Sequence, residues 1–110
     1  METIYSIEGL RAALSDNKVA VIYYSNETCN VCKVLKPRIR EMLDMQFPNA
    51  KMHYVDIEKS PVVSGQYRVF SIPTIDIYID GKEHARFSRN VTMHDFEAAM
   101  RRPYDLIYSE

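Results

Sequence analysis

Cys29 and Cys32 are the two residues of this chain whose type and spacing could carry chemistry. They are the only cysteines among 110 residues, and they stand together as Cys-Asn-Val-Cys. Two thiols three positions apart can form a reversible disulfide that exchanges with another disulfide, or they can supply two ligands of a zinc site. The spacing alone leaves both interpretations open.

A structural zinc ion normally takes four ligands, and the sequence contains no second closely spaced pair of cysteines or histidines. The histidines, His53, His84 and His94, are isolated from one another, and we interpret them as surface or strand residues. We therefore expect neither a metal ion nor another cofactor. No glycine-rich phosphate loop and no nucleophile elbow around a serine is present, which disfavours nucleotide-binding and hydrolase functions.

The residues around the pair predict how it is positioned. Residues 18–24 form a β-branched and aromatic run that is apolar on both faces, as in a central strand covered by helices on both sides. Apolar residues then recur at helical spacing over 31–43, and Pro37 is expected to kink this helix. The cysteines are thus predicted at the start of a long helix.

A helix start favours an anion, because its first amide N–H groups are free and the helix dipole is positive there. The thiolate is the attacking species in disulfide exchange. We therefore interpret Cys29 as the nucleophile. Cys32 lies one turn later and is expected to be more buried, which suits the thiol that resolves the mixed disulfide.

The rest of the chain predicts further alternation of helices and strands. Helix starts are marked by Ser6, Ser60-Pro61 and Thr92. Asp80-Gly81 marks a tight turn between two strands, and Pro103 is expected to end the last helix. The predicted elements are a possible strand over 3–5, helices over 7–14, 61–67 and 92–101, and strands over 51–56, 74–79 and 83–88. This order implies an α/β fold in one domain spanning 1–110, with a mixed sheet of four to five strands and helices on both faces.

Composition limits the partners and the location. The formal net charge of -1 arises from 14 basic and 15 acidic residues spread along the chain, which disfavours binding to nucleic acid. No stretch approaches the roughly 18 apolar residues of a membrane span, and the N-terminus lacks the pattern of a signal peptide. We expect a cytoplasmic protein that binds neither nucleic acid nor membrane.

The order of these motifs resembles the thioredoxin family over nearly the whole chain. Cys29-Asn30-Val31-Cys32-Lys33 follows an apolar strand, Pro37 lies in the helix, and Ser71-Ile72-Pro73-Thr74 precedes the next strand and its Asp80-Gly81 turn. The resemblance implies a thioredoxin fold and catalysis by the cysteine pair. It also implies a cis peptide bond before Pro73, which would lie against the pair, and backbone pairing between Ile72 and the substrate chain.

Several residues depart from the family's pattern. Thr28 stands where the family usually has a tryptophan beside the cysteines, and Asn30-Val31 replaces its Gly-Pro. Tyr23 and Tyr54 take the places of the buried aspartate and its accompanying lysine, so proton transfer at Cys32 is expected to differ. Arg89-Asn90 replaces the Gly-Ala of the substrate groove. We interpret the substrate-binding residues as Thr28, Ile72, Pro73 and Arg89.

Two hypotheses of function follow. The first is a thiol–disulfide oxidoreductase of the protein disulfide reductase type, which acts on a protein or small-molecule disulfide and is itself reduced by an unidentified dithiol or reductase. The alternative is a redox-sensing or binding module that shares this fold but shows no general reductase turnover.

Overall fold

The computed structural model describes residues 1–109. Within them, strands and helices alternate along the chain except at one hairpin of two consecutive strands, as the sequence predicts. The elements are β1 (Glu2–Thr3), α1 (Ile7–Asp16), β2 (Val19–Ser25), α2 (Asn30–Gln46), β3 (Lys51–Asp56), α3 (Pro61–Gln66), β4 (Thr74–Ile79), β5 (Lys82–Phe87) and α4 (Met93–Tyr108). The helix starts at Ser6 and Thr92 are confirmed, since each side chain accepts a hydrogen bond from a first-turn amide. Ser60 also precedes its helix, but its side chain makes no such bond.

The five strands form one mixed sheet in the order β1-β3-β2-β4-β5. β3 runs parallel to β1 and β2, whereas β4 runs antiparallel to β2 and β5. This arrangement confirms the predicted mixed sheet. Because β2 and β3 run parallel, their carboxyl ends meet at one edge of the sheet, and the segment that carries Cys29 leaves the sheet there.

Every residue of β2 is buried, and the strand divides the interior into two clusters. Val19, Val21 and Tyr23 face the cluster beneath α2 and α4. The intervening residues of β2 face a second cluster beneath α1 and α3. This alternation explains why the strand is apolar on both faces, since side chains of a strand point to opposite sides in turn.

The hairpin formed by β4 and β5 ends the sheet on one side. Its turn contains Asp80 and Gly81, both with positive φ, which confirms the predicted tight turn. The register shifts between Ile77↔Ala85 and Tyr78↔Glu83, so that His84 is an extra residue in β5. β5 is therefore a bulged edge strand.

The sequence prediction for the last helix is wrong at its end. Pro103 does not terminate α4, which continues to Tyr108. Proline removes the amide that would bond to the Ala99 carbonyl, but His84 Nε2 lies 3.1 Å from that oxygen and takes this place. The turn beyond the proline is held by packing, since Tyr104 is buried edge-on against Phe47. These contacts offset the cost of a proline in a helix, about 3 kcal/mol.

Within the described residues, no helix is both long enough and apolar enough to cross a bilayer.

Candidate active site

Cys29 is the N-cap residue of α2, as the sequence predicts. It forms a disulfide with Cys32, and the two Cα atoms are 5.2 Å apart. The Cys29 Sγ atom also accepts a hydrogen bond of 3.2 Å from the Cys32 backbone N–H. The first-turn amide that Cys29 caps therefore points at the sulfur where a thiolate would form on reduction.

The two sulfur-bearing residues differ in exposure. Cys29 is half-buried, whereas only 1 % of Cys32 is accessible. No acidic residue lies in the first turn of α2, and Lys33 directly follows the pair. A disulfide partner can therefore reach Cys29 but not Cys32, and the helix start presents positive rather than negative groups to it.

Tyr23 lies directly beneath the pair and donates a hydrogen bond of 2.8 Å from its hydroxyl to the Cys32 carbonyl oxygen. The side chain is fully buried. Burial, together with the neighbouring Tyr54, raises the pKa of Tyr23 well above its ordinary value. The hydroxyl therefore remains protonated at neutral pH and serves as a hydrogen-bond donor, not as a base.

Tyr54 connects this core to a lysine of α2. Its ring stacks against that of Tyr23, with centroids 6.5 Å apart. The Lys36 ammonium lies 4.2 Å from the centroid of the Tyr54 ring. Lys36, Tyr54 and Cys32 line one open cavity of about 340 Å³. A positive charge thus lies on the solvent side of Cys32, one helical turn beyond it.

The segment before Cys29 is held by Asn26. The Asn26 side chain accepts hydrogen bonds from the backbone N–H and the hydroxyl of Thr28, and it donates to Glu58 at 2.9 Å. Glu27 forms an ion pair with Lys59. Both contacts attach the segment to the turn that follows β3, and they leave Thr28 exposed beside the pair.

The Ile72–Pro73 peptide bond is cis, which confirms the prediction. Pro73 is buried and Ile72 is half-buried against the same core cluster as Cys29. The next residue, Thr74, pairs with Tyr24 near the end of β2. Ile72 and Pro73 therefore lie at the sheet edge from which the cysteine segment leaves.

Arg89 is exposed and lies across from the start of α2. It borders an open groove of about 390 Å³ together with Val31, Val34 and Val91. Val31 and Val34 are 40 % and 64 % exposed, so the groove presents an apolar floor. The sequence predicted Arg89 as a substrate-binding residue but did not predict that the valines line a groove beside it. A signal was present, because Val34 is one turn from Val31 and therefore shares its side of the helix.

The three histidines lie on separate elements. His53 is buried in β3, His84 is in β5 and His94 is in α4. Among residues 1–109, no group of three histidine, cysteine or acidic side chains is arranged to hold a metal ion.

The family model for thioredoxin matches residues 5–102. The chain belongs to the thioredoxin family. A thioredoxin-like protein of Bacillus subtilis, YdfQ, is 32 % identical over 110 residues, which is all of this chain and 97 % of that protein. A thioredoxin of Chlamydia trachomatis is 32 % identical over 101 residues, 92 % of this chain and 94 % of the relative. The crystal structure of Fasciola hepatica thioredoxin superposes with a TM-score of 0.82 at 23 % identity, covering 92 % of this chain and 98 % of that one.

Membership of the thioredoxin family, together with the Cys29–Cys32 disulfide, makes this protein a thiol–disulfide oxidoreductase. Two features of its site were not anticipated from the sequence. One is the Tyr23 hydrogen bond to the Cys32 carbonyl, and the other is Lys36 over Tyr54. The position of Lys36 could have been predicted from the sequence, because Lys36 follows Cys32 by four residues and therefore shares its helix face.

Proposed function

We propose that this oxidoreductase acts as a protein disulfide reductase, with Cys29 as the attacking thiolate and Cys32 as the resolving thiol. The observation that carries the proposal is the unequal exposure of the pair at a helix start: Cys29 caps α2 and is reachable, whereas Cys32 is enclosed.

The exchange proceeds in two steps from the reduced protein. The Cys29 thiolate attacks one sulfur of the substrate disulfide, forms a mixed disulfide and expels the first substrate sulfur as a thiolate, which takes up a proton. Cys32 then loses its proton and attacks the Cys29 sulfur, which expels the second substrate thiolate. The pair has then given two electrons to the substrate and stands as the Cys29–Cys32 disulfide seen in the structure.

The substrate groove we propose lies on both sides of Cys29. Ile72 and Pro73 form one side of this groove, where the Ile72 backbone would pair with an extended partner chain. Thr28 directly precedes Cys29, and Arg89 lies across from the start of α2 beside the apolar groove. A partner chain that reaches Cys29 would pass both residues. An arginine at this point favours a partner segment that carries a carboxylate next to its disulfide.

A separate dithiol or a reductase must return the electrons, and we propose that this donor docks at the same groove. The unit that performs exchange is one domain of residues 1–110. We place it in the cytoplasm, because both cysteines of the chain belong to one exchange motif, as expected in a compartment where structural disulfides are rare.

Reduction of insulin in the presence of dithiothreitol tests the proposal. The native protein should accelerate precipitation of the insulin B chain well above the dithiothreitol blank, and Cys29→Ser should return the rate to the blank. In a separate reaction without dithiothreitol, reduced Cys32→Ser should attack once and accumulate a mixed disulfide, because no second thiol is present to release the substrate. Turnover no faster than the blank, with a disulfide that still forms and breaks reversibly, would favour the redox-sensing or binding module instead.

A further inference from the structure

Asp76 and Arg86 form an ion pair on the face of the sheet opposite the cysteine helix. Asp76 lies on β4 between Ile75 and Ile77, whose side chains pack beneath α2 and α4, so its own side chain points toward α1 and α3. It is fully buried. Arg86 of β5 binds both of its carboxylate oxygens, at 2.7 Å from Nε and 3.0 Å from Nη2.

The same guanidinium binds the backbone that follows α3. Arg86 Nη1 donates to the Arg68 carbonyl and Nη2 donates to the Tyr67 carbonyl, both at 2.8 Å. Arg68 has a φ of 57°, so the chain reverses there in a left-handed conformation that an arginine side chain does not favour. Because the guanidinium group is planar and rigid, its bonds to the consecutive Tyr67 and Arg68 carbonyls hold the chain reversal in place.

The reversal begins the segment 67–73, which has no regular secondary structure and ends at the cis-proline. Its far end is held where β4 starts, because the Thr74 hydroxyl donates to the Ser71 carbonyl at 2.8 Å. In between, Phe70 is 83 % exposed. At the first end, backbone N–H groups of residues 67–69 donate to carbonyl groups of α3, and Val69 is buried in the second cluster. Arg86 adds the side-chain contacts that hold the Tyr67 and Arg68 carbonyls at this end.

We propose that Arg86 is a positioning residue for exchange with protein disulfides: by holding segment 67–73 it presents the Ile72 backbone to the partner chain. The inference rests on the proposed function, since it concerns the same groove. A small disulfide needs only to reach Cys29, so its exchange does not depend on Arg86.

The charges around Asp76 give this role a pH dependence. Asp76 is faced by Arg86 and Glu83 of β5, by Tyr24 of β2 and by Tyr78 of β4, and Tyr67 after α3 lies near these two tyrosines. Burial raises the pKa of Asp76 to about 6, although the hydrogen bonds from Arg86 act in the opposite direction. Protonation of Asp76 removes the charge that orients the guanidinium, so the hold on segment 67–73 should weaken as the pH falls through about 6.

The decisive variant is Asp76→Leu combined with Arg86→Leu. Removing both charges avoids leaving an unpaired carboxylate in the core, which would endanger folding for reasons unrelated to the segment. We expect the KM for insulin to rise about tenfold while kcat changes by less than about twofold, because docking geometry is lost but the cysteine pair is untouched. The rate of exchange with a small disulfide, oxidised glutathione, should change by less than about twofold.

Two further variants sharpen the comparison. Arg86→Lys keeps the charge but loses the fork, so its KM should lie between those of the native protein and the double variant. Arg101→Leu is the matched control, because Arg101 forms ion pairs with Glu97 and Asp105 on the other face of the sheet. Its KM should equal the native one. The native KM should also rise between pH 7 and 5, and that rise should be absent in the double variant.

Amide hydrogen exchange of residues 68–72 gives a readout that does not depend on turnover. In the folded double variant these amides should exchange at least about tenfold faster, with no change at the start of α2. An unchanged KM, or unchanged exchange in this segment, would overturn the role of Arg86. If native protein exchanges with glutathione but does not reduce insulin, the protein reductase proposal fails, and hydrogen exchange alone then decides whether Arg86 holds the segment.

Discussion

Replacing Tyr23 with phenylalanine removes one atom from beneath the active site. The hydroxyl donates to the Cys32 carbonyl at 2.8 Å in a fully buried position, and the ring stacks against Tyr54. Phenylalanine keeps the ring and its packing, so no cavity of side-chain size forms. The Cys32 carbonyl also remains in α2, where it still accepts the helical hydrogen bond.

The expected cost is therefore that of one net hydrogen bond, about 1 kcal/mol. For a domain of this size, such a loss corresponds to a fall in Tm of about 5 °C. The effect on catalysis should be small. Because the pKa of Tyr23 is raised by burial, the hydroxyl is protonated throughout the working range and cannot take the proton of Cys32. The pH dependence of insulin reduction should accordingly be the same in Tyr23→Phe and in the native protein.

Urea unfolding of the oxidised forms and insulin reduction between pH 6 and 9 test both parts. Tyr23→Asp is the informative contrast, because it introduces a buried carboxylate that can accept a proton. It should cost several kcal/mol in stability and move the pH profile. A shift of the Tyr23→Phe profile by more than about half a pH unit would show that the tyrosine participates in proton transfer, since half a unit corresponds to about 0.7 kcal/mol. A loss above about 3 kcal/mol would show that the hydroxyl supports more than one bond.

Three other outcomes are expected. In Cys32→Ser, Cys29 should react with iodoacetamide at a pH midpoint below the 8.5 or so of a free thiol, because the helix start stabilises its thiolate; a midpoint near 8.5 would make the nucleophile assignment wrong. The variant Arg89→Gly with Asn90→Ala should be reduced faster by a thioredoxin reductase but equally fast by dithiothreitol, since it removes bulk from the groove; equal enzymatic rates would contradict this. Burial lowers the pKa of His53 below its ordinary value of 6.5, so as the pH falls below that value His53 binds a proton more readily in the unfolded chain than in the folded one. Stability should therefore fall on acidification below about pH 6.5, and His53→Leu should lessen that fall in urea titrations; an unaltered pH dependence would argue against it.

Much of the fold was readable from periodicity. The all-apolar run of β2, the helical spacing after Cys29 and the Asp80-Gly81 turn each depend on near neighbours in sequence, and each is found where the pattern predicts it. The end of α4 was not readable in this way. Proline is a reliable local signal, but its cost is offset here by Tyr104 against Phe47, a contact between residues far apart in the chain.

The cysteine pair and the cis-proline carry short motifs, so the candidate site could be located from sequence and from its resemblance to a family. The Asp76–Arg86 pair could not. Asp76 stands at a polar position of a strand that alternates cleanly, so the pattern gives no sign that its carboxylate is buried. Nothing in its neighbourhood shows that its partner also binds the segment leading to Pro73. That connection requires the register of β4 and β5 and the path of the chain after α3.

The two borders of the sheet bear on how the protein behaves among other copies of itself. An edge strand exposes unpaired backbone groups that can recruit a foreign strand and begin aggregation. β1 offers two residues only. β5 carries charged side chains at Lys82, Glu83 and Arg86, and the extra residue at His84 breaks the regular spacing of its free N–H and C=O groups. Neither border can template a long intermolecular ladder. An enzyme whose proposed partner docks as an extended chain thereby keeps its contact with that chain to the groove beside Cys29.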